Sequence, residues 1–142
     1  ARMVAEVAGG TLYEILPRQP YTSEDLDWND RQSRSSVEMN DPKARPALKP
    51  TKADIGDYDV IFIGYPIWWN QAPRVVNTFI ESHDLKGRKL VPFATSGGSS
   101  ITNSVKELRK AYPELEWQDG KLLNGTGRNA VWNWASEVIK GR

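Results

Sequence analysis

Two short apolar runs constrain the fold of this chain more than any other feature. Residues 59–65 read DVIFIGY and residues 89–95 read KLVPFAT, and turn-forming residues flank both runs. A continuous rather than alternating apolar run is typical of a strand buried on both faces of a parallel sheet. Both segments are therefore predicted to be buried strands of such a sheet.

Amphipathic segments separate and follow these strands. Pro73 is predicted to open one helix, Ser100 or Thr102 to cap a second, and Thr126 to lead the last. Their inward faces repeat at helical spacing: Val75, Val76, Phe79 and Ile80; Val105, Leu108 and Tyr112; and Val131, Trp134, Ala135, Val138 and Ile139. This order predicts an α/β fold, a doubly wound parallel sheet with helices on both faces, in a single domain over residues 1–142.

The remaining segments give weaker patterns. Residues 1–8 resemble the end of a helix, residues 11–16 (TLYEIL) a strand, and residues 115–123 a strand or hairpin. Residues 21–50 form a polar, proline-rich insert with a helix start at Ser23 and a short helix over 33–40. In that helix Arg34 and Glu38 have the spacing of an ion pair.

Composition excludes several classes of function. Nineteen lysine and arginine residues against 18 aspartate and glutamate residues leave a net charge of +1, which gives no pull toward nucleic acid or anionic lipid. No run approaches the roughly 18 apolar residues of a membrane span. The chain has no cysteine, and His83 is its one histidine, so we expect no metal site and no thiolate or Ser-His catalysis. A cytoplasmic location is expected.

Two unusual loops follow the predicted buried strands. In folds of this class, ligands bind beyond the carboxyl ends of the strands, where PIWWNQA (residues 66–72) and SGGSS (residues 96–100) begin. The adjacent tryptophans are suited to stacking on a flat ligand, or one of them covers the end of the sheet. The glycine pair allows backbone N–H groups to approach a ligand, or forms a plain strand-to-helix turn.

Taken together, DYDVIFIGYPIWW and KLVPFATSGGSS resemble the flavodoxin-like family, most closely its small bacterial members with a Trp-Trp loop after the third strand. The resemblance extends over nearly the whole chain, including SRSSVEMND in the insert. It implies FMN as cofactor, with the flavin ring between the two loops. The implied cofactor-binding residues are Pro66, Ile67, Trp68, Trp69, Thr95, Ser96, Gly97 and Gly98, with no catalytic side chain. The insert would lie near the flavin edge, where Arg34 is an alternative contact for a substrate.

One part of the family pattern is missing. The family's first strand, which is central in the order 2-1-3-4-5, and its phosphate-binding loop precede helix one, and these 142 residues contain neither. We therefore interpret the domain as N-terminally incomplete. The chain is a fragment, or the segment exists but is not part of this sequence, or another segment or chain fills the gap. If the loss is real in solution, weak or no FMN binding is expected.

Three functions remain open at this stage. The first is an FMN-binding electron-transfer protein with a redox partner protein. The second is an FMN-dependent NAD(P)H quinone reductase acting on small-molecule acceptors, which the net charge of +1 favours because electron-carrying flavodoxins are acidic. The third is a flavin-free binding or scaffold domain. No nucleic-acid partner and no membrane span are expected, and a homodimer is compatible with each function.

Overall fold

A parallel sheet forms the centre of the computed structural model, which describes residues 4–6, 10–49, 58–96, 98–124 and 127–140. Residues 4–6 are helical. The elements that follow are α1 (Arg34–Asn40), β1 (Val60–Pro66), α2 (Arg74–Ser82), β2 (Lys89–Thr95), α3 (Thr102–Ala111), β3 (Glu116–Trp117), β4 (Lys121–Leu122) and α4 (Arg128–Lys140). This alternation of helices and parallel strands confirms the predicted α/β fold class.

The two apolar runs form the predicted strands and pair with each other. β1 and β2 run parallel from Val60 opposite Lys89 to Pro66 opposite Thr95. Every residue from Leu90 to Ala94 is buried, as predicted for β2. Among the described residues β1 is an edge strand in which only Ile63 and Tyr65 are buried, so the prediction of burial on both faces is wrong for β1. Both strands end at the same level, so their following loops begin side by side.

The segment predicted as a strand or hairpin is a single interrupted strand. β3 and β4 both pair with β2, and both run parallel to it. The interruption lies beside Pro92, which has no N–H to contribute to a ladder. A Cβ atom on Gly120 would approach the carbonyl oxygen of Pro92 to 3.0 Å. Glycine at position 120 therefore permits the close passage of residues 118–120 beside β2.

Side chains from the strands fill a core on each face of the sheet. On one face, Ile63, Tyr65 and Leu90 pack with apolar residues of α2 and α3, among them Val76, Phe79, Ile80 and Leu108. On the other face, Phe93 packs with Val131 of α4 and Val4 of the N-terminal helical residues. Trp134 contacts Phe62 and Phe93 edge-on, as its predicted inward position requires, whereas Trp132 is exposed.

Several local predictions are wrong. Residues 11–16 form no strand, because no strand among the described residues lies beside them to supply hydrogen bonds. Tyr13 and Ile15 pack on the core instead, and Pro17 forms an isolated bridge with Leu48. The helix start at Ser23 gives only turns. α3 has no side-chain cap from Ser100 or Thr102, since the N-cap residue is Ile101.

Other predictions agree with the structure, and two fall wholly or partly on residues outside the described ranges. Ser33 caps α1 by accepting a hydrogen bond from the backbone of Ser36. Pro73 is the N-cap of α2, and His83 is its C-cap. Residues 1–3, 7 and 8 of the predicted first helix, and Thr126 before α4, lie outside the described residues.

Candidate functional site

A cleft of about 470 Å³ lies at the carboxyl ends of the parallel strands. Its walls come from the loop after β1, the loop after β2 and the residues after β4: Pro66, Ile67, Trp68, Thr95, Ser96, Leu123 and Asn124. Its volume falls within the range of small-molecule sites. The backbone N–H of Ile67 donates to the carbonyl of Thr95 at 2.9 Å, which joins the first two walls at their base.

The aromatic loop after β1 is a tight turn with left-handed backbone. Trp68 and Gln71 exchange two backbone hydrogen bonds of 2.9 Å, and Trp69 and Asn70 between them have φ angles of +48° and +65°. These angles are those of a type I′ turn, in which asparagine and glycine are favoured and tryptophan is not. A strained residue with a large side chain often marks a functional position. The ring of Trp69 is 42% exposed at the tip, whereas Trp68 is partly buried against the cleft.

The loop after β2 is held by hydrogen bonds to Ser96. The side chain of Asn124 accepts from the Ser96 N–H at 2.7 Å and donates to the Ser96 carbonyl. The hydroxyl of Ser96 accepts from the N–H groups of Gly98 at 3.1 Å and Ser99 at 2.8 Å. Ser96 therefore orders the glycine-containing turn, and the two N–H groups bond to this hydroxyl.

Side chains of the insert contact the aromatic loop. Tyr21 meets Trp68 edge-to-face, with ring centroids 5.3 Å apart and planes at 80°. The phenol of Tyr21 donates to Glu38 at 2.5 Å, and the guanidinium of Arg34 lies 3.9 Å from the centre of the Tyr21 ring. Burial, together with the hydrogen bond to Glu38, raises the pKa of Tyr21 well above its usual range. Tyr21 is therefore a neutral hydrogen-bond donor at physiological pH.

Beneath the cleft, a buried hydroxyl pair joins β1 to α3. The hydroxyls of Tyr65 and Ser104 lie 2.9 Å apart, and burial raises the pKa of Tyr65. Above it, the side-chain amide of Asn103 donates to the carbonyl of Asn70 at 2.9 Å. The start of α3 is thus bonded to β1 through Ser104 and to the aromatic loop through Asn103.

The cleft is chemically suited to a flat, neutral heteroaromatic ring. Its described lining residues carry no charge. Pro66, Ile67, Trp68 and Leu123 supply apolar surface, while Ser96 and Asn124 supply hydrogen-bonding groups on the facing wall. An isoalloxazine ring has an apolar face and a polar edge of carbonyl and imide groups, so the residues present fit the flavin portion of FMN.

The sequence predictions divide into three groups at this site. Pro66, Ile67, Trp68, Thr95 and Ser96 line the cleft. Trp69 and Gly98 are exposed and do not line it, and Gly97 lies outside the described residues. Leu123 and Asn124 were not predicted. The available signal was weak: an asparagine directly after a short apolar segment is typical of a turn.

A second cleft, of about 250 Å³, lies at the opposite edge of the sheet, between the ends of α2 and α3. It includes Glu81 and Tyr112, whose phenol donates to the Glu81 carboxylate, and Arg45 pairs with the same carboxylate at 2.8 Å. This edge holds the amino ends of the strands, where folds of this class do not bind cofactors. The described residues contain no cluster of metal-ligating side chains, and none of their helices is both long and apolar enough to cross a bilayer.

Known proteins resemble this chain in sequence and in structure. The family model described as flavodoxin matches residues 1–138. A crystal structure described as a putative flavoprotein from Bacteroides eggerthii is 60% identical, covers 97% of this chain, is itself covered to 87%, and superposes with a TM-score of 0.92. A second putative flavoprotein, from Bacteroides uniformis, is 55% identical. The match covers 95% of this chain and 86% of that one, with a TM-score of 0.92. The search of curated proteins gave no match.

A more distant structure supports the fold alone. It is a flavoprotein from Lactobacillus acidophilus in complex with FMN, 18% identical, with a TM-score of 0.64 over 85% of this chain and 83% of that one. Flavodoxins carry FMN at the switch point of the sheet, beyond the carboxyl ends of the strands. The family match covers almost the whole sequence, and the cleft lies at that edge: the chain belongs to the flavodoxin family.

Proposed function

We propose that this chain is a flavoprotein that binds FMN in the strand-end cleft and transfers electrons through it. The observation that carries the proposal is the cleft itself, in which an aromatic wall faces a hydrogen-bonding wall at the carboxyl ends of β1 and β2. Family membership supports FMN as the cofactor. When bound, FMN supplies reversible one- and two-electron chemistry.

The residues of the aromatic wall would bind the ring and adjust its reduction potential. The ring of Trp68 offers an electron-rich stacking surface, and Pro66 and Ile67 extend the apolar wall beside it. Such a surface favours the electron-poor oxidised ring over the electron-rich reduced ring. Trp68 should therefore lower the two-electron potential of bound FMN relative to free FMN.

The residues of the facing wall would orient the polar edge of the ring. Asn124 fixes both backbone groups of Ser96, and the Ser96 hydroxyl orders the turn that follows. Thr95 and Ser96 would then present hydrogen-bonding groups of fixed direction to the polar edge of the flavin ring. Gly97 and Gly98 belong to the same proposed binding set, although Gly98 does not line the cleft itself, since glycines allow a ring to approach the backbone closely.

A potentiometric titration of the FMN-loaded protein tests this function. We expect a midpoint potential below that of free FMN, and a smaller displacement in Trp68→Leu. Trp132→Leu, which changes an exposed tryptophan on α4, is the matched control. A bound flavin whose potential equals that of free FMN, and does not respond to Trp68→Leu, would contradict the role of the aromatic wall.

A specific observation favours a second function, FMN-dependent reduction of a quinone by NADH or NADPH. The net charge of +1 gives little steering toward a basic protein partner, and the insert packs against Trp68 beside the cleft, as a cover for a small-molecule pocket would. Steady-state turnover of a nicotinamide donor with a quinone separates the two functions. A one-electron or two-electron carrier should give little turnover, and a reductase should give many cycles per flavin.

A further inference from the structure

The insert places a closed cluster of side chains against Trp68. Glu38 accepts from Tyr21 on one carboxylate oxygen, at 2.5 Å, and from Nε of Arg34 on the other, at 3.0 Å. The Arg34 guanidinium covers the ring of Tyr21 and also donates to the carbonyl of Gln19 at 2.6 Å. Tyr21 is thereby fixed at its hydroxyl and at its ring face.

The cluster is attached to the body of the protein close to the cleft. Arg74, a buried residue at the start of α2, donates to the backbone carbonyls of Glu38 at 3.2 Å and Met39 at 2.9 Å. It also donates to the side chain of Gln71 at 3.2 Å, and Gln71 closes the turn that carries the two tryptophans. Arg74 therefore bonds to both the insert and the aromatic loop, and fixes one relative to the other.

The contact between Tyr21 and Trp68 has the geometry of a directional aromatic pair. Its 80° angle and 5.3 Å separation are those of an edge-to-face arrangement. Trp68 takes part in this contact and lines the cleft as well. A ring held by a fixed neighbour meets a ligand in one orientation, which lowers the entropy lost on binding.

We propose that Tyr21, Arg34 and Glu38 are positioning residues that hold the ring of Trp68 in the orientation that stacks on the flavin. The inference rests on the proposed function and extends it to the insert. It reassigns Arg34, whose guanidinium is committed to Tyr21, Glu38 and Gln19, from the alternative of contacting a substrate to that of orienting a binding residue.

Two test variants and one matched control test the proposal. Arg34→Gln removes the ion pair with Glu38 and the cation above Tyr21. Arg45→Gln is the matched control, because it removes an arginine–glutamate pair that joins the same insert to Glu81 of α2, away from Trp68. Tyr21→Phe is a milder second variant, which keeps the ring and removes the hydrogen bond to Glu38.

The first readout needs no flavin. The indole N–H resonance of Trp68, assigned with Trp68→Phe, should shift or broaden in Arg34→Gln and, to a smaller extent, in Tyr21→Phe. The resonance of Trp134, which packs on the other face of the sheet, should stay in place and shows that the fold is intact. Arg34→Lys should restore the Trp68 resonance in part, since an ammonium keeps the charge but not the planar contact.

The second readout is the affinity for FMN. We expect Arg34→Gln to weaken binding about three- to tenfold and Arg45→Gln to leave it unchanged. An unperturbed Trp68 resonance in Arg34→Gln would overturn the proposal, even if affinity fell, because the effect would not pass through Trp68. Failure of the wild-type protein to bind FMN would contradict the proposed function, while the resonance would still decide the positioning role.

Discussion

The two loops that border the cleft are held in different ways. The aromatic loop after β1 is supported by its own paired hydrogen bonds, by Tyr21 of the insert and by Asn103 of α3. The loop after β2 is ordered through Ser96, whose backbone is bound at both groups by Asn124. The aromatic wall thus has distributed support, whereas the hydrogen-bonding wall depends strongly on the amide of one exposed residue.

The difference in support corresponds to the different roles proposed for the two loops, stacking for the first and hydrogen bonding for the second. A stacking surface needs a rigid ring plane, which several weak contacts can supply together. A hydrogen-bonding surface needs backbone groups with fixed directions, and one bidentate amide fixes both groups of a residue at once. Substitutions should therefore act gradually on the first loop and sharply on the second.

The strand pair beneath both loops gives the largest expected effect. Gly64 of β1 pairs with Phe93 of β2, and a methyl group on Gly64 would overlap the Phe93 ring. Gly64→Ala should lower the free energy of unfolding by about 1–3 kcal/mol, because a packed ring must move. Denaturant unfolding measures this, with Gly10→Ala, where a methyl group meets open space, as the control. Equal stability of the two variants would contradict the packing described here.

The next effect tests the dependence of the second loop on Asn124. Asn124→Ala removes two hydrogen bonds to Ser96, each with a net value of about 0.5–1.5 kcal/mol. FMN affinity should fall about ten- to thirtyfold, measured by fluorescence titration. Asn103→Ala, which removes one hydrogen bond to the aromatic loop, is the comparison and should cost less. If the order were reversed, the contrast between the loops would be wrong.

A third substitution measures the aromatic wall itself. Trp68→Ala should weaken FMN binding about tenfold and restore part of the flavin fluorescence that a stacked indole quenches, since one aromatic stacking contact contributes about 1–3 kcal/mol. Trp68→Phe should retain most of the affinity. Trp132→Ala controls for loss of a tryptophan elsewhere. An unchanged Kd in Trp68→Ala would remove the stacking assignment.

The smallest effect separates the two adjacent tryptophans. Trp69 adopts a left-handed backbone conformation, and its ring is not part of the cleft lining. Trp69→Gly should raise the free energy of unfolding by up to about 1 kcal/mol, because glycine adopts φ of +48° without strain but loses more entropy on folding. Thermal unfolding measures the stability. A clear loss of stability would mean that the exposed ring makes contacts that support the turn.

Much of the framework could be predicted from the sequence, for a physical reason. A strand buried on both faces must be apolar at successive positions, so β2, buried from Leu90 to Ala94, could be predicted from its continuous apolar run. β1 has the same kind of run and forms the predicted strand, although only Ile63 and Tyr65 in it are buried. The order of these runs and the amphipathic helices then predicts the sheet edge at which a ligand binds. The loops that follow β1 and β2 could be assigned to the site on that basis.

Contacts between distant segments could not be predicted in the same way. Asn124 reaches Ser96 because β4 pairs beside the end of β2, a register that no local pattern encodes. Tyr21 of the insert contacts Trp68, and no local pattern around Tyr21 predicts that contact. The prediction of a strand over residues 11–16 was wrong for a related reason. Their pattern is that of a strand, but a strand forms only beside a partner strand.

The most direct test of the cleft as a flavin site is a fluorescence titration of FMN with this protein, run beside riboflavin and repeated with Trp68→Ala. We predict saturable quenching of the flavin, one flavin per chain, and weaker binding of both ligands in the variant, because the described contacts act on the ring that FMN and riboflavin share. Flavin fluorescence that shows no saturable change with the wild-type protein would contradict the central claim.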